Sequence, residues 1–151
     1  MSLKTYPKFT EFLLKPILAV DYGQKFTGLA TFIPGRDPFP LLHGRLAYKD
    51  DQGLVNDLRK IIDEESIEIV VVGIPTFLDG KESTMTKTVR NFIEVLQKQI
   101  PQKIFEQDET LSTVEAEERM KNSPRFNFKV NYQEIDAMSA SIILEDFIRS
   151  P

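Results

Sequence analysis

Three groups of carboxylates stand where chemistry could be done. Asp21 closes the apolar run Ile17-Leu18-Ala19-Val20 and is followed by Tyr22-Gly23. A carboxylate at the end of a buried strand, next to a glycine, sits where open α/β sheets place their ligands. The same residue type also organises turns without further duty. Asp108-Glu109 ends a second β-forming stretch just ahead of a helix start, where acids also favour the helix dipole. Asp136 shares a helical stripe with Ala140, Ile143 and Phe147, a stripe expected to face the sheet. A carboxylate on such a stripe is costly unless a metal, a cation or a donor meets it. Several hard oxygen ligands in one place are what Mg²⁺ or Mn²⁺ requires. Two such ions ~4 Å apart can activate water and stabilise the leaving oxygen in phosphodiester cleavage. Asp108 and Glu109 point to opposite faces if the strand extends that far, so either can be the ligand. Lys25, Lys81, Lys87 and Arg90, near the expected strand ends, are candidates for phosphate contact. Gly23 and Gly28 would let a phosphate approach the backbone.

The elements that must position these residues follow from local pattern. Ile17 to Asp21 reads as a buried strand, Thr27 to Ile33 as a second closed by Pro34-Gly35, and Leu41 to Tyr48 as a third; together they form an antiparallel meander. Leu54, Val55, Leu58, Ile61 and Ile62 then fall at helical spacing, with Asp50 or Asp51 as cap. Ile69 to Gly73 is a β-branched run fit for a strand covered on both faces. Met85, Val89, Phe92, Ile93, Leu96 and Ile100 make a second helical stripe, stopped by Pro101. Lys103 to Gln107 is a short strand, Ser112-Thr113-Val114-Glu115 a capping box opening a third helix to about Lys121, and about Tyr132 to Ile148 a last helix. The order β-β-β-α-β-α-β-α-α predicts an α/β fold: one mixed five-stranded sheet, a three-stranded antiparallel meander plus parallel strands, flanked by helices.

Bulk properties bound the function. A chain of 151 residues suits one domain, expected over 17–151 after an extension at 1–16. There is no cysteine, so disulfides, thiolate zinc sites and cysteine nucleophiles are excluded. No apolar run is long enough to span a membrane, and Met1 to Pro16 lacks the pattern of a signal peptide. The net charge of -4 runs against a general phosphate binder. Its distribution is uneven, however: Arg119 to Gln133 holds Arg119, Lys121, Arg125 and Lys129, no acid, and Phe126, Phe128 and Tyr132 among them. That stretch reads either as a grip on an unpaired strand or as an ordinary loop. His43 is the only histidine; in a strand context it reads as structural or surface, which leaves a Ser-His-Asp site without a base.

The residues also resemble a known family. Ile17 to Ala30 (ILAVDYGQKFTGLA) is similar to the opening motif of the YqgF family, also called RuvX or RuvC-like Holliday junction resolvases. Val70 to Gly80 (VVVGIPTFLDG), Asp108 to Ala116 (DETLSTVEA) and Ile135 to Phe147 (IDAMSASIILEDF) resemble its later motifs, in order. The resemblance implies an RNase H-like fold, divalent-metal chemistry with one or two Mg²⁺ or Mn²⁺ ions, a cytoplasmic setting and a nuclease. It also implies 5′-end processing of pre-16S rRNA, with Holliday junction resolution on DNA as the alternative. By position, Asp21, Glu109 and Asp136 become the metal ligands and catalytic acids, with Asp108 beside them. The chain departs from the family at Gln24-Lys25-Phe26, where Thr and Arg are usual, and at Thr110, where Arg is usual. Both departures remove plausible phosphate contacts.

Two readings of another class stand beside the nuclease. One is a non-catalytic nucleic-acid-binding module of the same fold, holding pre-rRNA or branched DNA without cutting. The other is a nucleotide-phosphate enzyme, because Asp-x-Gly after a first strand also opens the actin and sugar-kinase fold. That architecture needs two lobes, and this length has room for one. Sequence leaves RNA against DNA open, and also oligomeric state; a junction resolvase would be expected to pair as a homodimer.

Overall fold

The computed structural model describes residues 2–76, 81–109 and 112–151. The Asp79-Gly80 end of the second motif and Thr110 lie outside them, as does the side chain of Ser112 in the expected capping box. Strands β1 (Ile17–Asp21), β2 (Phe26–Phe32), β3 (Leu41–Ala47), β4 (Ile69–Pro75) and β5 (Lys103–Glu109) form one sheet in the order β3-β2-β1-β4-β5. β1, β2 and β3 pair antiparallel, while β4 joins β1 and β5 joins β4 in parallel. The mixed five-stranded sheet expected from the sequence is the one observed.

Alternation along each strand divides the core in two. Leu18, Val20, Val70, Val72 and Ile74 face one side, against α2 (Asp51–Glu64) and α3 (Thr84–Gln97), which bring Leu54, Leu58, Val89, Phe92 and Leu96. Ile17, Ala19, Ala30, Phe32 and Val71 face the other, against α5 (Ile135–Arg149), which buries Ala140, Ile143, Leu144 and Phe147. The Asp50 side chain caps α2 by accepting from the Gly53 N–H at 2.6 Å. Ser83 and Thr86 form a capping box that starts α3. α4 (Ser112–Lys121) packs on α5.

The segment before β1 is more than an extension. It folds into a short helix α1 (Pro7–Glu11), and Phe9 and Phe12 enter the core under α5. The Phe12 ring lies 5.7 Å from Phe147 and 5.8 Å from Phe105. The basic stretch begins within α4, because Arg119 and Lys121 occupy its last turn.

Candidate active site

The site forms on the α5 face, at the ends of β1 and β5. Ile17 and Ala19 face α5, so strand alternation turns Asp21 the same way. Its neighbour Tyr22 is pinned on the opposite face: the phenol donates to Asp51 Oδ1 at 2.8 Å, and the ring stands 4.9 Å from Phe92. That anchor leaves Asp21 little freedom to turn away.

The same parity decides between the two acids of β5. Phe105 packs on the α5 side with Phe12 and Phe147, so Gln107 and Glu109 follow it. Ile104 packs on the opposite core, and Glu106 meets Arg90 of α3 at 3.6 Å. Asp108 therefore belongs to the α3 face, where it is exposed. Glu109 is the acid brought to Asp21, and a hydrogen bond joins the two side chains.

Asp136 arrives from the first turn of α5. A Cβ on Gly28 would collide with the Asp136 carbonyl, so α5 lies directly on the β2 backbone. This corrects the role expected of Gly28: its bare face takes a helix, leaving no room for a phosphate. Gly73 on β4 is comparable, since a Cβ there would run into the Glu109 carboxylate and stand 2.5 Å from Ile143 Cδ1. Gly23 lies within the β1–β2 turn against the Phe26 carbonyl.

Burial is the main force on Asp21 and raises its carboxyl well above the usual carboxylate range. The charge of Glu109, the hydrogen bond to it, and the charge of Asp136 push the same way. The site thus gathers three carboxylates on one face, with the Arg45 guanidinium beside Asp136. Arg45 Nη1 lies 3.7 Å from Asp136 Oδ2 and donates to the Tyr132 carbonyl at 3.4 Å. Its guanidinium sits 3.7 Å above the Phe26 ring.

Sequence reading missed Arg45, and the reason is a bulge. Gly28 pairs with Arg45 and Ala30 with Leu42, so β3 carries one extra residue, at which Gly44 adopts φ 76°. Leu42 and Arg45 consequently share the α5 face although an odd number of steps separates them. Strict alternation from Leu42 would have sent Arg45 to the other side. The legible signal was Gly44 inside a strand pattern.

The four expected phosphate contacts are dispersed. Lys25 is exposed in the β1–β2 turn, close to Asp21 in sequence. Lys81 and Lys87 are exposed, at the entrance to α3 and on it. Arg90 is held on the α3 side by ion pairs with Glu82 and Glu106, away from the carboxylates. His43 lies 3.8 Å from Glu65, at the surface.

As a donor set, Asp21, Glu109 and Asp136 fit a hard divalent cation: carboxylate oxygens, with no imidazole or thiolate. Among the described residues, no three acids or histidines stand close enough as placed to hold a metal ion. Asp21 and Glu109 touch, while Asp136 leans to Arg45.

The profile of the RuvX family, described as Holliday junction resolvase, matches residues 15–150. The chain belongs to the RuvX family. Among curated relatives, a protein of Maridesulfovibrio salexigens is 32% identical over 133 residues, covering 87% of this chain and 96% of that protein. One of Shewanella oneidensis is 33% identical over 138 residues, covering 90% and 95%. Both are named "Putative pre-16S rRNA nuclease". Among solved structures, RuvC of T. thermophilus in complex with a Holliday junction substrate superposes with a TM-score of 0.58 at 12% identity, covering 89% of this chain and 95% of that one. The fowlpox virus Holliday junction resolvase does so with 0.56 at 12%, covering 90% and 99%. These likenesses establish the RNase H-like fold, and membership in RuvX supports a nuclease. Among the described residues, no helix is long and apolar enough to cross a membrane.

Proposed function

We propose that this chain is a divalent-metal-dependent endonuclease acting on structured nucleic acid, with the 5′ end of pre-16S rRNA as its substrate. The observation that carries the reading is the convergence of Asp21, Glu109 and Asp136 on one face from three separate segments. Gathering three like charges on one half-buried face is unfavourable for folding, so function is the reason to keep them. Asp21, Glu109 and Asp136 would hold one or two Mg²⁺ or Mn²⁺ ions. Such an ion supplies Lewis-acid charge at a scissile phosphate and makes water a better nucleophile at neutral pH. The residues' own part is to present oxygens from the ends of packed strands and a packed helix. Bound positive charge would favour the ionised form of Asp21, and Arg45 would steady Asp136. The names carried by the curated relatives favour the ribosomal substrate, and a cytoplasmic setting accords with it.

Cleavage of a pre-16S rRNA fragment and a four-way DNA junction, compared with Mg²⁺, Mn²⁺ or EDTA, tests this directly. Cutting of the RNA that is lost with EDTA and in Asp21→Asn supports the reading. Preferential cutting of the junction transfers it to DNA, and a homodimer in solution would then be expected. Tight binding of either substrate without cutting favours a non-catalytic binding module.

A further inference from the structure

Residues 122–133, between α4 and α5, carry the two most exposed aromatic rings among the described residues, Phe128 at 62% and Tyr132 at 69%. Their exposure is built in. Asn127 and Phe128 both adopt left-handed backbone, at φ 52° and 57°, a region costly for a bulky side chain. Hydrogen bonds hold that shape: Phe128 N–H donates to the Ser123 carbonyl and Lys129 N–H to the Phe126 carbonyl, each at 3.0 Å. Strain in a ring-bearing residue is ordinarily offset by packing the ring, yet Phe128 presents its ring to water.

The surroundings are cationic. Arg119 is taken up by Glu115 and Glu145. Lys121, Arg125 and Lys129 are exposed, and no ion pair with them occurs among the described residues. No acid lies between Arg119 and Gln133. The segment also abuts the carboxylates, because Arg45 Nη1 reaches both the Tyr132 carbonyl and Asp136.

We propose that residues 122–133 form a stacking surface for an unpaired strand of nucleic acid flanking the bond to be cut. Phe128 and Tyr132 stack on bases, while Arg125 and Lys129 neutralise phosphates. Exposed rings among unpaired cations match a single strand, whose bases offer free π-faces and whose backbone is anionic. A duplex hides its base faces, and an apolar protein partner would leave the cations without counter-charge. The inference rests on the nuclease reading for its biological meaning, but its test needs no turnover.

The test is fluorescence anisotropy of a short labelled RNA single strand and of a blunt duplex, in EDTA, with purified full-length variants. Phe128→Ala and Tyr132→Ala should each weaken single-strand binding about tenfold, while blunt-duplex binding changes less than about twofold. Phe128→Trp and Tyr132→Trp should restore it, which separates stacking from loop collapse. Arg125→Gln and Lys129→Gln should each lower the salt slope for the single strand by about 0.7. Unchanged single-strand affinity in both alanine variants overturns the proposal. So does dissociation of a dimer in sedimentation caused by the same substitutions, with nucleic-acid binding intact, which would assign the surface to a second copy of the chain. Wild-type protein that binds the strand through these rings but cuts nothing with Mg²⁺ or Mn²⁺ sinks the nuclease reading and leaves the stacking surface itself standing.

Discussion

At the residue scale the protein turns on one buried carboxyl. Asp21 binds its proton more tightly folded than unfolded, because burial and then Glu109 and Asp136 raise it. Between the unfolded value near 3.8 and the raised folded value, the native state holds a proton that the unfolded chain has released. Stability therefore falls as pH rises through that window and stays reduced above it. With divalent cations chelated, Asp21→Asn should melt above wild type at neutral pH and lose this pH dependence. A lower melting temperature for the variant at neutral pH would contradict the burial account. In cleavage assays the same variant should lose more than the 10–100-fold that an outer partner of a metal site typically costs. Asp108→Asn, on the exposed α3 face, should leave the cleavage rate within about twofold, as expected of a surface group outside the cluster.

At the element scale, two glycines set the distances between segments. Gly28→Ala forces α5 off β2, since the added carbon meets the backbone of Asp136, which cannot rotate aside. A destabilisation of about 1–3 kcal/mol is expected, read by urea unfolding, with loss of cleavage as Asp136 retreats. Gly44→Ala has open space around its Cβ, so its cost comes from φ alone. It should amount to about 1–2 kcal/mol, accompanied by a weaker hold of Arg45 on Asp136. Equal stability of Gly44→Ala and wild type would refute the bulge as the device that aims Arg45.

At the scale of the whole molecule, the sheet separates duties. The α2–α3 face is a packed apolar core, while the α5 face combines core and site. The N-terminal helix belongs to that second layer, because Phe12 stacks on Phe147 and meets Phe105 edge-on. Phe12→Ala should cost about 3–5 kcal/mol, which lowers the melting temperature by roughly 6–20 °C for a domain of this size. Calorimetry checks it; a small shift would mean that the segment is peripheral after all.

The sequence by itself determined which elements form and which residue types can do chemistry. Period two and period 3.6 are local properties of the chain, so β1, β4 and the stripes of α2, α3 and α5 could be read directly, and Asp21, Glu109 and Asp136 were visible as acids at their ends. Tertiary structure decided which side chains meet. Glu109 rather than Asp108 reaches Asp21 because Phe105 fixes the parity of β5 against α5. Arg45 reaches Asp136 because a bulge at Gly44 shifts the register of β3. Gly28 serves a helix instead of a ligand, and Arg90 is spent on Glu82 and Glu106. Each of these outcomes depends on contacts between segments far apart in the chain, where a shift of one residue reverses a face; a local pattern such as Gly44 inside a strand can mark a bulge without fixing which segments then meet.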